Sequence, residues 1–245
     1  MMAVSGNLDF NTVLTLTQVL HEIEDALQKK KPYSLARFGH GEIAELTWST
    51  DLKLRANMEY YRAYAGATES SEYVCAALVE ALLSSSTVGV LLMQDDPMQS
   101  RALAFKNFLE QNNIILRSVC SALITYEMHK SVPFWELLQK YRVVLVGRRA
   151  AEAVPIFRNR KVIITNAVEL DNLSYVRVAQ DILCKQRDWQ IALVSAGIPA
   201  TILAPRLAAA TNRVVIDFGH ALDMIIDGPN YDFEQLVGDW RHNNW

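Results

Sequence analysis

Short, almost continuously apolar segments alternate along the chain with longer segments in which apolar positions recur every three or four residues. Six of the short segments are five or six residues long, at 33–38, 88–93, 142–146, 161–165, 191–195 and 213–218. Strands buried on both faces of a parallel sheet have this composition, because neither face is left for polar residues. A seventh, weaker strand candidate lies at 114–119.

The longer segments predict amphipathic helices. In the first of them, Leu14, Val19, Ile23 and Leu27 form an apolar stripe that ends before Pro32, whose ring is incompatible with a helix interior. Further helices are predicted at 73–83, 100–111, 132–140, 173–185 and 199–210.

This alternation of strands and helices predicts an α/β fold, with a mostly parallel, Rossmann-like sheet of about six or seven strands and helices on both faces. The chain has no linker rich in Gly, Pro or Ser and no repeat of fixed period. We therefore expect residues 1–245 to form a single domain, with a helical insertion around 43–85. An aromatic cluster in that insertion suggests that it covers a site: Trp48, Tyr60, Tyr61 and Tyr64.

The composition is that of an ordinary globular protein, since 51% of the residues are apolar and 21% are charged. The net charge of −3 gives no reason to expect a surface that binds nucleic acid. No apolar run approaches the roughly 18–20 residues that span a bilayer, and the first residues do not resemble a signal peptide. The cysteines Cys75, Cys120 and Cys184 lack CxxC spacing, so we expect reduced, buried thiols in a cytoplasmic protein.

The segments that follow the strands are the candidates for a functional site, because ligands of open α/β sheets bind beyond the carboxyl ends of the strands. Glycines follow directly at several of these ends, where they let backbone N–H groups approach a ligand closely. The segments are Gly39-His40-Gly41-Glu42, Gln94-Asp95-Asp96-Pro97, Gly147-Arg148-Arg149, Ala196-Gly197 and Gly219-His220-Ala221-Leu222-Asp223.

The first of these segments formally matches the dinucleotide fingerprint G-x-G-x-x-A, with Gly39, Gly41 and Ala44. Two features argue against an NAD-type enzyme. The next strand candidate starts near Val88, too far for a βαβ unit of about 30 residues, and no strand ends in an acid about 20 residues on. The NAD-type interpretation is therefore kept only as an alternative.

The same segment carries a resemblance to a known family. Residues 34–42 (SLARFGHGE) resemble the S-L-x-R-x-G-D-G-E stretch of the GT-D-type glycosyltransferase fold family, which includes bacterial relatives. Weaker similarities follow in the expected order at 134–138 (FWELL), 142–153 (RVVLVGRRAAEA), 191–197 (IALVSAG) and 215–222 (VIDFGHAL). The resemblance implies a transferase that uses a nucleotide-sugar donor, with a divalent metal, Mn²⁺ or Mg²⁺, at an Asp-x-Glu motif.

This sequence departs from that motif at its first acid, where it has His40, while the second acid, Glu42, is present. A neutral imidazole removes one negative charge and one oxygen ligand, and it suits Mn²⁺ or Zn²⁺ better than Mg²⁺. Three alternatives follow. His40 and Glu42 together hold a metal, or His40 binds a phosphate as a cation without metal, or the protein binds the nucleotide sugar without catalysis.

The remaining candidates take roles from their places at the strand ends. Arg37 and the glycines Gly39 and Gly41 are expected to bind the donor diphosphate, together with Arg148 and Arg149. The turn that contains Ser195 and Gly197 is a candidate for binding phosphate or ribose.

His220 repeats the tripeptide Phe-Gly-His at the last strand and is a candidate general base for an acceptor hydroxyl. Asp217, on the same strand, is a candidate for orienting a catalytic group. Glu42 and His40 complete the catalytic set.

Each candidate also has a purely structural explanation. Arg37 suits a salt bridge inside the sheet, Glu42 a favourable place at a helix N-terminus, and the two arginines at 148–149 a solvated surface pair. Asp95 and Asp96 either bind ribose or metal, or cap the following helix, and capping is the better supported of the two.

The first functional hypothesis is a glycosyltransferase that moves a sugar from a nucleotide-sugar donor to the hydroxyl of an acceptor, either a glycan or a small molecule. The second is a non-catalytic family member that binds a nucleotide or nucleotide sugar. The aromatic C-terminal segment, 231–245, is either a homodimer patch or a segment that packs on the body of the protein.

Overall fold

The computed structural model describes residues 13–47, 59–96 and 99–244, without the side chains of residues 59, 60 and 240–244. One parallel sheet of eight strands forms its centre, in the order β1-β4-β3-β2-β8-β7-β5-β6. The strands are β1 (Val13–Leu14), β2 (Tyr33–Phe38), β3 (Thr87–Val90), β4 (Val119–Ser121), β5 (Arg142–Gly147), β6 (Ile163–Val168), β7 (Ile191–Ser195) and β8 (Val214–Asp217).

Helices connect these strands and cover both faces of the sheet. In the described ranges they are α1 (Leu16–Lys29), α2 (His40–Thr47), α3 (Glu59–Tyr64), α4 (Ser71–Ser84), α5 (Ser100–Gln111), α6 (Ile124–Met128), α7 (Val132–Lys140), α8 (Ala150–Asn159), α9 (Val176–Lys185), α10 (Ile198–Thr211), α11 (Ala221–Asp227) and α12 (Phe233–Asn244). Short 3₁₀ turns lie at Leu173–Tyr175 and Gly228–Asn230. No helix within these ranges has both the length and the apolar character that crossing a membrane requires.

Two apolar cores lie on opposite faces of the sheet, because successive side chains of a strand point in opposite directions. On β2, Ala36 and Phe38 pack into the core shared with α2, α4, α5 and α10, whereas Leu35 faces the other core. That second core contains α1, α7 and α8, with Phe134 and Phe157 fully buried. The predicted α/β class with a parallel sheet is therefore confirmed.

In the described part of the chain the sheet has eight strands rather than six or seven. The sequence pattern missed β1, which has only two residues and pairs with β4 at the edge of the sheet. Leu14 belongs to this strand and not to the apolar stripe of the first helix. That helix begins after Thr15, whose side chain and backbone exchange hydrogen bonds with Gln18 in a capping box, and it ends at Lys30 in a left-handed conformation.

The predicted limits of the strands at 33–38 and 191–195 are confirmed, and the limits of the other strands differ from the prediction. The candidate at 114–119 is wrong, because the strand is Val119–Ser121 and Ile115 is 83% exposed. The candidate at 161–165 starts two residues too early, since the strand runs from Ile163 to Val168. The pairing of this strand with β5 shifts register between Val143 and Val144. The segment at 88–93 forms a strand only as far as Val90.

The stretch between β2 and β3 is attached to the body of the protein by backbone hydrogen bonds. The Ala65 carbonyl accepts from the Ile198 N–H at 3.0 Å, and the Gly66 carbonyl accepts from the Leu173 N–H at 2.9 Å. These bonds hold the end of α3, and with it Tyr64, above the carboxyl ends of the strands. Trp48 lies outside the described residues, and the division into one domain with an insertion stays a prediction.

Candidate active site

Arg37 and Asp217 form the centre of the site, at the carboxyl ends of the neighbouring strands β2 and β8. The Arg37 Nη2 atom lies 3.1 Å from Asp217 Oδ1, and Nε donates to the Asp217 carbonyl at 2.8 Å. The backbone N–H of Arg37 donates to Asp217 Oδ2 at 3.1 Å. The Asp217 side chain is only 3% exposed and that of Arg37 14% exposed, so the pair is buried and charge-compensated.

Thr201 connects this pair with Glu42. Its buried hydroxyl, on α10, lies 3.0 Å from Asp217 Oδ2 and 3.3 Å from Glu42 Oε1. A hydroxyl has a single hydrogen, so it donates to one carboxylate at a time. Glu42 and Asp217 therefore lie on either side of one side chain and feel each other's charge.

Glu42 lies in the first turn of α2 and is half-buried. Burial, and next the negative charge of Asp217, raise the pKa of Glu42 to about 7. The opposing contributions are smaller and come first from the backbone N–H of Glu42 itself, then from the charge of Arg37 and from the Gly39 N–H, which donates to Glu42 Oε2 at 3.0 Å. Glu42 can therefore take up or release a proton near neutral pH, which an ordinary glutamate does not do.

Gly219 is required by the close approach of Arg37. Its φ is +50°, and a Cβ built there would lie 1.6 Å from Arg37 Nη2. The Ser195 hydroxyl donates to the Gly219 carbonyl and so ties the end of β7 to this turn. Gly197 has a φ of +61°, and its conformation lets the Ile198 N–H reach the Ala65 carbonyl.

His220 follows Gly219 directly and completes the line of polar groups at this edge. Its Nδ1 atom lies 2.9 Å from Asp223 Oδ2. The ring stacks on Tyr64, with 6.1 Å between centroids and 9° between planes, and Phe233 packs edge-on at 5.1 Å. The imidazole is therefore fixed on three sides while its side chain stays 30% exposed.

Arg149 is engaged by three carboxylates. Its guanidinium lies 2.8 Å from both oxygens of Asp227, 3.3 Å from Asp223 Oδ1 and 3.0 Å from Glu152 Oε2. Arg149 in turn lowers the pKa of Asp227, chiefly through these hydrogen bonds. Its charge is thus already compensated within the protein, and at 19% exposure Arg149 is not the solvated surface residue of the structural explanation, while its role in donor binding stays a prediction.

Arg148 points to a different set of groups. Its Nε donates to Asp171 Oδ1 at 2.6 Å, Nη2 donates to the Tyr64 carbonyl at 3.4 Å, and the guanidinium lies 5.5 Å from the centre of the Tyr64 ring. The side chain remains 34% exposed, so it can still meet a ligand. Tyr64 lies between Arg148 and His220.

His40 and Glu42 have different neighbours. His40 is exposed, and the pKa of its imidazole is lowered by burial of part of the ring and next by the charge of Arg101, with a smaller opposing effect of Asp96. The two residues are two positions apart on α2, so a rotation of about 200° around the helix axis separates them, and their side chains leave the helix on nearly opposite sides. The contacts of these two residues do not fit a metal site shared between them.

Within the described ranges, no group of three or more His, Cys, Asp or Glu side chains gathers as a set of metal ligands. The presence of a divalent metal therefore stays a prediction. Of the two acids after β3, Asp96 caps α5, because its Oδ2 accepts from the N–H groups of Arg101 and Ala102 at 2.9 and 3.1 Å. Asp95 accepts a hydrogen bond from Ser121 at 2.7 Å.

Similarity to known proteins agrees with this fold. The family described as a GT-D fold-like domain matches residues 14–225. The chain belongs to this family. The resemblance noted from residues 34–42 is thereby confirmed at the level of the family, and no curated protein matches the chain.

Solved structures similar to this GT-D fold-like chain carry a glycosyltransferase fold. One is described as "The highly conserved domain of unknown function 1792 has a distinct glycosyltransferase fold", with a TM-score of 0.59 at 17% identity, covering 89% of this chain and 83% of that chain. Another is "A New Glycosyltransferase (DUF1792) from Streptococcus sanguinis", with a TM-score of 0.57 at 20% identity over 91% and 84% of the two chains. A third structure of domain of unknown function 1792 has a TM-score of 0.62 at 17% identity over 89% and 83%. At these identities the likeness establishes the fold.

In this GT-D fold-like domain, Tyr126 is a half-buried phenol that the sequence analysis did not single out. It lies on α6, and its pKa is raised chiefly by burial, with the charge of Arg37 acting in the opposite direction. The charges of Asp223 and Asp217 act on it as well, so it is electrostatically coupled to the groups of the site. The strand before it was predicted too early, so no pattern indicated that α6 begins at this edge of the sheet.

Proposed function

We propose that this GT-D fold-like protein transfers a sugar from a nucleotide-sugar donor to the hydroxyl of an acceptor. The observation that carries the proposal is the polar cluster of Arg37, Asp217, Thr201 and Glu42 at the carboxyl ends of the central strands. It adjoins His220 through the Gly219 turn, in a fold shared with glycosyltransferases. Both requirements of sugar transfer, a base and a positive charge, are present there.

Proton removal from the acceptor hydroxyl is assigned to His220. Asp223 occupies Nδ1, which leaves Nε2 as the nitrogen that can accept a proton. A histidine base contributes about 10²- to 10⁴-fold to rate when it is positioned on the reacting hydroxyl. The stacked Tyr64 ring and the edge-on Phe233 ring limit how far the imidazole can turn.

Stabilisation of the departing nucleoside diphosphate is assigned to Arg148, whose side chain is 34% exposed, and to the N–H groups of Arg37 that Asp217 leaves unused while it compensates the charge. Arg37 donates through Nε, Nη1 and Nη2 to Asp217 and to the Ala122 carbonyl. A guanidinium has five N–H groups, so one on each Nη nitrogen remains for a phosphate oxygen. Asp217 and the Ala122 carbonyl already fix the Arg37 guanidinium before the reaction, so it does not have to reorient when negative charge develops on the departing diphosphate.

The experiment is a panel of nucleoside diphosphate sugars incubated with the purified protein, with and without Mn²⁺, in which water takes the sugar in place of the acceptor hydroxyl and release of the nucleoside diphosphate is measured. We expect at least one donor to turn over and His220→Gln to lower its turnover about 10²-fold or more. His21→Gln, which changes an exposed histidine on α1, is the matched control and should turn over like the wild type. A panel in which every donor fails to bind and to turn over would refute the proposal.

A second candidate function is a nucleotide-sugar binder without catalysis. It is favoured by one observation, the separation of His40, beside Arg101, from Glu42. His40→Asp distinguishes the two functions. New, metal-dependent turnover in that variant supports a non-catalytic native protein, whereas loss of an existing turnover shows that His40 belongs to a working site.

A further inference from the structure

A chain of charged side chains behind His220 connects the site to two neighbouring helices. Asp223 and Asp227 lie one turn apart on α11, and both contact Arg149, which precedes α8. Asp223 is 9% exposed, so its carboxylate needs compensation, and Arg149 supplies it. Glu152 holds the far side of the same guanidinium at 3.0 Å.

Asp223 is anchored from two directions at once. Oδ2 lies 2.9 Å from His220 Nδ1, and Oδ1 lies 3.3 Å from Arg149 Nη1. An ionised carboxylate only accepts hydrogen bonds, so a neutral His220 must carry its proton on Nδ1 to make this contact. The lone pair on Nε2 is then the one free to take a proton.

We infer that Asp223 and Arg149 are positioning residues that hold His220 in the Nδ1–H tautomer, with Nε2 as the base for the acceptor hydroxyl. The inference rests on the proposed function. Asp223 acts on the acceptor through the imidazole, and Arg149, which Asp227 and Glu152 keep in place, acts through Asp223. It gives Arg149 a role at the site other than binding the donor.

A merely structural role, in which Arg149 joins α8 to α11, would leave the tautomer of His220 unaffected. The structural role and the positioning role can therefore be distinguished by ¹⁵N NMR spectra of histidine-labelled protein. These spectra show which ring nitrogen carries the proton, and they need no substrate. The His220 signals are assigned with His220→Gln. The spectra are recorded at about pH 8, above the ordinary pKa of histidine side chains.

The wild type is expected to show the Nδ1–H tautomer of His220. Asp223→Asn keeps the shape of the side chain but presents an amide that can donate to Nδ1, so a large fraction of the Nε2–H tautomer is expected. In the donor assay, its kcat is expected to fall about 10²- to 10⁴-fold while the KM for the donor changes less than about threefold. Asp188→Asn, an exposed aspartate before β7, is the matched control for the same chemical change.

Arg149→Gln is the second variant and keeps Asp223 itself. The Asp223 carboxylate then loses one of its two anchors, so kcat is expected to fall about tenfold, with partial loss of the Nδ1–H tautomer of His220. A wild type in the Nε2–H form, or an Asp223→Asn protein that keeps both the tautomer and kcat, would overturn the inference and leave the proposed function standing. A wild type with the Nδ1–H tautomer and no turnover of any donor would instead refute the proposed function and, with it, the catalytic role of this tautomer.

Discussion

Replacing Glu42 with glutamine should make the folded protein more stable at alkaline pH. Burial and the charge of Asp217 raise the pKa of Glu42 from 4.5 to about 7 in the folded chain. Between these two pH values the folded state holds a proton that the unfolded chain has lost. The free energy of unfolding of the wild type therefore falls as the pH rises through this interval, and glutamine removes that fall.

The size of the effect follows from the interval between the two pKa values. A rise of about 2.5 pH units, at about 1.4 kcal/mol for each unit, gives an upper limit of about 3.4 kcal/mol. Glu42 is only half-buried and water screens part of the interaction, so we expect about 2 kcal/mol at pH values above the folded pKa. Glutamine keeps an oxygen that can accept the Gly39 N–H, so little of the local hydrogen bonding is lost.

The assay is urea unfolding of the wild type and of Glu42→Gln from about pH 4 to about pH 8. The stability difference is expected to be small at the acidic end and to grow with pH to about 2 kcal/mol in favour of the variant. Glu136→Gln, which changes an exposed glutamate on α7, is the control for loss of a carboxylate. A difference that does not change with pH, or a variant that is less stable at about pH 8, would refute this account of Glu42.

Three further substitutions test the geometry of the site. Gly219→Ala should destabilise the fold by about 2–4 kcal/mol in urea unfolding, because the added Cβ collides with the Arg37 guanidinium. Gly238→Ala is the control and should be neutral or slightly stabilising, because no atom lies within 4 Å of the added Cβ. Equal effects of the two would contradict the close approach. Asp96→Ala should cost about 1 kcal/mol by removing the cap of α5, and an unchanged unfolding midpoint would show that the cap contributes nothing. Thr201→Val should cost about 1–3 kcal/mol, because buried carboxylates lose a donor, and a stabilised variant would speak against that network.

Sequence patterns were sufficient for the elements whose local preference agrees with their place in the fold. The strands at 33–38 and 191–195 are almost continuously apolar and nearly all of their residues are buried, so their limits were predicted correctly. The strand Val13–Leu14 was missed because two residues carry no periodicity, and its stability comes from pairing with β4. Polar positions such as Asn166 obscured the later half of β6.

The site was predictable only as far as the strand ends could be placed. Arg37, Asp217, Glu42 and Gly219 follow from the rule that ligands of α/β sheets bind at these ends, and the fold brings them together. The partners of Arg149 did not follow, since Asp223 and Asp227 lie 74 and 78 positions further along the chain. Only the packing of α8 against α11 shows that this arginine is compensated within the protein.

The central claim is that a nucleotide donor binds where the ends of β2 and β8 meet. Its most direct test is the shift of backbone amide NMR signals when a nucleoside diphosphate is added to the protein. We expect the largest shifts at Gly39, Gly197 and Gly219, which lie at the carboxyl ends of β2, β7 and β8. Shifts confined to the groove of about 260 Å³ lined by Ser84, Ser86 and Arg117, beside the start of β3, would contradict the claim.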